Sequence, residues 1–158
     1  MNSRTLLDDV VDRALAEVRQ RGLQVYTVAL YHDHESDAVS VCVDTALNSR
    51  RVVDGINSYN LPHFLQAVAY GDLEHAALWQ ANIGRSLSLG DFTAVNLART
   101  DLSGVRADEG FYLSMVQALV ARHDDIHALA ADPSATVLAC SGPEEEVALV
   151  WPLPHSPA

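Results

Sequence analysis

Two β-rich segments, far apart in the sequence, most constrain what this chain can fold into. The first runs from Val25 to Tyr31 and, after a polar turn at 32–37, continues over 38–43. The second covers 135–140 and, after a turn with three glutamates, 147–151. Both segments have the β-branched and aromatic content that is typical of hairpins. Because hairpins distant in sequence can share a sheet, we expect one mainly antiparallel sheet to join the two ends of the chain.

Helical patterns fill the rest of the sequence. Apolar residues recur at helical spacing from Leu6 to Val18, with Ser3 or Thr5 as the cap, and Gly22 ends that helix. A second long helix is expected to begin at Asp108–Glu109, to continue with or without a break through Ala130, and to stop before Pro133. Shorter helices are predicted within 45–56, 61–69 and 72–80, whereas 92–98 suits either a helix or a strand.

Length and composition predict a single α+β domain over 1–151, with several helices packed on the sheet and a flexible tail at 152–158. A chain of 158 residues buries roughly 70% of its unfolded surface, which is enough for a core without disulfides or metals. The N-terminus lacks the apolar stretch of a signal peptide, and no run approaches the length of a membrane span. We therefore expect a cytoplasmic protein that does not enter membranes.

The two cysteines, Cys42 and Cys140, each lie within an apolar β-like run. Buried free thiols are the ordinary interpretation of such positions. A disulfide would require the two strands to be neighbours, and a reducing compartment disfavours it.

The charge balance narrows the choice of partners. Ten basic residues, all arginine, oppose 21 acidic ones, so the formal net charge is −11. Such a charge repels nucleic-acid phosphates and anionic membranes, and no arginine cluster reverses it locally. It favours a basic protein partner instead. Glu144, Glu145 and Glu146, in the second predicted hairpin turn, are candidate contacts for that partner.

A second candidate contact set is Trp79 with Asn82 and Arg85. An aromatic ring, an amide and a cation close together are typical of binding hot spots. The alternative is a core tryptophan followed by a structural turn. The neighbouring Asn82-Ile83-Gly84 lacks the glycine spacing of a phosphate-binding loop.

Two histidine pairs raise the possibility of a metal site. His123 and His127 stand four residues apart, on one face of a predicted helix. The sequence offers no third ligand for them, and a solvated helix face is the competing interpretation. His32 and His34 lie in the first polar turn, where adjacent ligands fix coordination geometry poorly. We therefore predict no metal and no cofactor, and keep a metal-dependent or small-molecule enzyme as the alternative function.

The order of elements resembles small bacterial families similar to the SUKH superfamily, whose members include immunity proteins against toxins. The resemblance is carried by segments 25–31, 78–80, 111–112 and 147–151. It implies an α+β fold and a protein-binding role, and it brings no catalytic residue. No serine-nucleophile motif is present either. We therefore expect a non-enzymatic, acidic protein-binding module, with a homodimer through a sheet edge or helix face as a further possibility.

Overall fold

Helices and strands share the described part of the chain, which is residues 2–154 of the computed structural model. This range contains five strands and five α-helices, so the predicted α+β class is confirmed. The strands are β1 (Thr27–Asp33), β2 (Ala38–Asp44), β3 (Ala94–Asp101), β4 (Val137–Cys140) and β5 (Leu149–Pro152). The helices are α1 (Ser3–Arg21), α2 (Ala46–Ala69), α3 (Leu73–Ala76), α4 (Glu109–Ala121) and α5 (His123–Leu129).

The five strands form one sheet in the order β3-β2-β1-β4-β5. The two terminal hairpins do share this sheet, as expected, and β3 extends it at one edge. Three pairings are antiparallel, but β1 and β4 run parallel, with Thr27 opposite Val137 and Leu30 opposite Cys140. The sheet is therefore mixed rather than purely antiparallel. The parallel pairing arises because α4 and α5 carry the chain back to the start of the sheet before β4 begins.

One face of the sheet is covered by α1 and α4. Asn2 caps α1 by accepting from the Thr5 amide at 2.8 Å, and Gly22 ends it in the left-handed conformation (φ +67°). The cap is therefore Asn2 rather than Ser3 or Thr5. The side chains buried between these helices and the sheet include Leu7, Val11, Val28, Leu30, Val41, Phe111, Met115 and Leu138. Each fully buried aliphatic or aromatic side chain contributes about 1.5–3 kcal/mol.

The other face of the sheet is lined by small and polar side chains. Ala29, Cys42 and Ala139 form its buried cluster together with Leu89 and Phe92. Cys140, in contrast, belongs to the core on the α1 side. The two thiols are consequently free and point to opposite faces of the sheet. Burial raises the pKa of the Cys140 thiol to about 12 and raises that of Cys42, so neither is a ready nucleophile at neutral pH.

The chain divides into two compact units, one from its two ends and the other from Ala46–Ser88. In the second unit, α2 packs with α3 and a short 3-10 turn at Ala77–Trp79. One continuous α2 replaces the two shorter helices predicted around Pro62, which lies inside the helix and lacks the N–H for the Ser58 carbonyl. The single-domain boundary at 1–151 stays a prediction.

Regular structure continues past residue 151, the predicted end of the domain. Pro152 belongs to β5, and the amide of the buried Leu153 donates to the Thr136 carbonyl at 2.9 Å. Residues 155–158, the rest of the tail predicted to be flexible, lie outside the described residues. None of the helices described is both long and apolar enough to cross a membrane.

A break at Arg122 separates α4 from α5, and its side chain ties both helices to α1. Its guanidinium donates to both carboxylate oxygens of Asp12, at 2.9 and 3.0 Å, and to Asp8 at 2.8 Å. Only 16% of the Arg122 side chain is exposed. The hydrogen bonds from Arg122 lower the pKa of Asp12 below its usual 3.8. This paired arrangement is the geometry in which an ion pair contributes measurably to stability.

Replacing this arginine tests that contribution. We expect Arg122→Gln to lower the free energy of unfolding by about 1–2 kcal/mol at neutral pH, measured by urea denaturation. Because the folded pKa of Asp12 is depressed, the stabilisation is present above pH 3.8 and is lost as the pH falls through the lowered value. The difference between the two proteins should therefore shrink below pH 4. The exposed Arg19→Gln is the control, and equal loss in both variants would contradict the assignment.

Candidate partner-binding site

Four segments meet at one end of the sheet. Because β1 and β4 are parallel, Asp33 at the end of β1 and Cys140 at the end of β4 lie at the same end of the sheet. The β1–β2 turn and the β4–β5 connection both begin at this end of the sheet. The pairing of Ala38 with Asp101 brings the end of β3 to it as well. The start of α4 completes the arrangement, since Tyr112 contacts His32 there.

Acidic residues are concentrated at this end of the sheet, which we call the acidic end. It carries nine carboxylates, contributed by all four segments: Asp33, Glu35, Asp37, Asp101, Asp108, Glu109, Glu144, Glu145 and Glu146. Apart from Asp33, all of these residues are exposed. The same segments contain two arginines, Arg99 and Arg106. The structure thus joins Glu144–Glu146, predicted as partner contacts, to acidic residues that are distant in sequence.

Local hydrogen bonds hold two of these carboxylates in the charged form. Arg99 donates to Asp33 at 2.8 Å and, with the Ser36 and Glu35 amides, lowers the pKa of Asp33 to about 2. Hydrogen bonds from Ser103 likewise lower the pKa of Asp101. Both groups therefore remain negative throughout the physiological pH range.

A buried histidine, His32, forms hydrogen bonds with two residues of the acidic end. His32 is 3% exposed, and its ring lies edge-to-face with that of Phe111, with ring centroids 5.5 Å apart. Its Nε2 lies 3.0 Å from Asp37 Oδ1, and its Nδ1 lies 2.9 Å from the Tyr112 hydroxyl. A carboxylate can only accept, so in neutral His32 the Nε2–H donates to Asp37 and Nδ1 accepts from Tyr112. Burial, followed by the charge of Asp37, raises the pKa of Tyr112, which keeps the phenol protonated as that donor.

The two turns of the acidic end are bonded directly to each other. His34 Nε2 donates to the Gly142 carbonyl at 2.8 Å. The Ser141 hydroxyl accepts from the His32 amide at 3.0 Å and donates to the Glu146 carbonyl at 2.6 Å. At Gly142, a Cβ atom would lie 2.6 Å from that of Ala148, so this close approach requires glycine. The turns therefore present their carboxylates from a fixed backbone.

Sequence reasoning placed His32 in a polar turn and gave Tyr112, at the start of a predicted helix, no role in a site. The signal for His32 was the alternation of Val28, Leu30 and His32, which places the histidine on the same buried face as the two aliphatic residues. For Tyr112 no local signal exists, because its partner lies 80 residues away.

Trp79, Asn82 and Arg85 belong to the helical unit Ala46–Ser88 rather than to the unit that carries the acidic end. Trp79 lines a hollow of about 300 Å³ with Leu61 and Phe64, and stacks on His63 at 4.4 Å. Asn82 exchanges two hydrogen bonds of 2.9 Å with Asn57 and accepts from the Gly84 amide, which closes the loop 82–85. Asn82 therefore has a structural role, and contact of these three residues with a partner stays a prediction.

The second histidine pair lies on α5, at the opposite end of the sheet from the acidic end. His123 Nδ1 donates to the Val120 carbonyl at 2.9 Å, and its Nε2 lies 3.4 Å from Asp124. His127 is exposed. Within residues 2–154 no group of three or more histidine, cysteine or carboxylate side chains is placed to hold a metal ion.

Comparison of the chain with protein-family models, with curated proteins and with solved structures returns no match.

Removing one hydroxyl tests the network beneath the acidic end. We expect Tyr112→Phe to lower the free energy of unfolding by about 1–2 kcal/mol, because the buried Nδ1 of His32 would lose its donor. Urea denaturation measures the change, and Tyr70→Phe, at a residue that is 78% exposed, is the matched control. A loss no larger than that of the control would show that the hydrogen bond to His32 does not stabilise the fold.

Proposed function

We propose that this protein is a non-enzymatic protein-binding module that uses its acidic end to bind a basic protein. The observation that carries the proposal is that nine carboxylates from four segments converge on the acidic end. Clustered charge of one sign accelerates the encounter with an oppositely charged partner and selects against partners of like charge.

The backbone beneath the acidic end favours tight rather than merely nonspecific binding. The bonds from His34 to Gly142 and from Ser141 to Glu146 hold the two turns before any partner arrives. A preorganised surface loses less conformational entropy on association than a flexible one. Tyr112 is half-buried at the acidic end, and aromatic side chains of this kind anchor protein interfaces.

The distribution of charge supports the same role. The helical unit contains three arginines and three acidic residues and is neutral, so the formal charge of −11 belongs entirely to the unit built from the chain ends. A basic toxin, the type of partner that the SUKH resemblance implies, fits this surface. Neither cysteine is an available nucleophile, and the hydroxyl and imidazole groups of the network bond one another, which favours binding over catalysis.

Matched charge removal at the two ends of the sheet tests the proposal. The variant Glu144→Gln/Glu145→Gln removes two charges from the acidic end, and Asp124→Asn/Asp125→Asn removes two from α5. Purified products of the flanking genes serve as the probes in calorimetric titrations at low and high salt. We expect a basic product to bind, and the first variant to weaken binding about 3–10-fold more than the second at low salt.

Salt provides the internal control, since screening should reduce the difference between the two variants. If no flanking product binds, or if both variants weaken binding equally, the acidic end is not the contact surface.

A further inference from the structure

The helical unit Ala46–Ser88 has an unusually apolar exterior. Fifteen large apolar side chains are exposed among residues 2–154, and ten of them belong to this unit of 43 residues. These ten are Leu47, Ile56, Tyr59, Leu61, Leu65, Val68, Tyr70, Leu73, Leu78 and Ile83. Neither cluster of buried core residues includes a residue from this unit. Apolar surface of this extent on a small unit marks an interaction site.

Three of these exposed apolar residues form a stripe on the second half of α2. Leu61, Leu65 and Val68 follow the i, i+4, i+7 spacing and are 54%, 55% and 52% exposed. A solvent-facing helix side normally carries charges at such positions. Here no aspartate, glutamate, lysine or arginine occurs from Gly55 to Gly71. The stripe therefore has the composition of a helix–helix contact.

The hollow at Trp79 adjoins this stripe. It is lined by Asn57, Leu61, Phe64, Trp79, Gln80 and Ala81, none of which is charged. The indole Nε1 of Trp79 is buried without a hydrogen-bond partner among the described residues. Leu61 thus belongs to both the stripe and the hollow, which makes them one continuous surface.

We propose that this surface is where a second copy of the chain docks, with the two α2 helices antiparallel about a two-fold axis between Leu61 and Leu65. In that arrangement Leu61 of one copy faces Leu65 of the other, and the same stripe serves both partners. Two-fold self-complementary contacts of this type are the commonest form of soluble oligomer. This interface goes beyond the proposed binding of a basic partner, and it uses different residues.

Charge argues against two other occupants. A basic protein would find no acidic complement on the stripe, because the only acidic residues in the unit, Asp54, Asp72 and Glu74, lie outside 55–71. A helix that lies on a membrane carries lysine or arginine along its polar face, and 55–71 has neither. Pairing of two neutral stripes also places none of the charge of −11 in the interface.

Sedimentation velocity and light scattering of the full chain test the proposal. We expect a dimer of about 34 kDa, twice the 17.1 kDa of one chain, at micromolar concentration. Leu65→Glu should convert it to a monomer with an unchanged circular dichroism spectrum, because two buried carboxylates would face the partner stripe. Leu113→Glu is the matched control: Leu113 is 57% exposed on α4, and this variant should remain a dimer.

A crosslinking measurement keeps the test decisive if Leu65→Glu fails to fold. Leu65→Cys treated with a short bis-maleimide should yield a covalent dimer, and Leu113→Cys should not, while the two native thiols stay protected by burial. A monomeric wild type, a dimer that folded Leu65→Glu leaves intact, equal crosslinking of both cysteine variants, or a monomer that floats with neutral lipid vesicles would each overturn the proposal. None of these results bears on the acidic end.

Discussion

The parallel pairing of β1 with β4 is the interaction on which the rest of the structure depends. Each of these strands begins a hairpin, and the backbone hydrogen bonds between them turn two hairpins into one sheet. The pairing aligns Thr27–Leu30 with Val137–Cys140, and it places Val28, Leu30 and Leu138 together against α1 and α4. Without it, β4 and β5 would form an isolated two-stranded hairpin, which is at best marginally stable in water.

The direction of this pairing also creates the candidate binding site. Two paired parallel strands finish at the same end of the sheet, so the turn after β1 and the connection after β4 become neighbours. His32, His34, Tyr112 and Ser141 then bond the turns to each other and to α4. The acidic end is therefore a consequence of topology, and the neutral, apolar helical unit supplies a second surface of opposite character.

Local patterns predicted much of this fold. The sequence predicted the helix that ends at Gly22, the two hairpins and the start of α4 at Asp108, because caps and periodicity depend on neighbours in sequence. The continuity of α2 through Pro62 was not, since a helix break is the local expectation there. The parallel register and the hydrogen bonds of His32 to Tyr112 and Ser141 depend on partners that are distant in sequence. The sequence therefore marked Glu144–Glu146 as acidic but did not reveal what surrounds them.

Nuclear Overhauser effects across β1 and β4 test the central claim most directly. With the chain isotopically labelled, the account predicts cross-strand contacts between backbone protons of Ala29 and Ala139 and of their neighbours in parallel register. It also predicts contacts between the His34 ring and Gly142. Cross-strand contacts confined to the two hairpins, or an antiparallel register between β1 and β4, would contradict it, because the turns would then not meet at one edge.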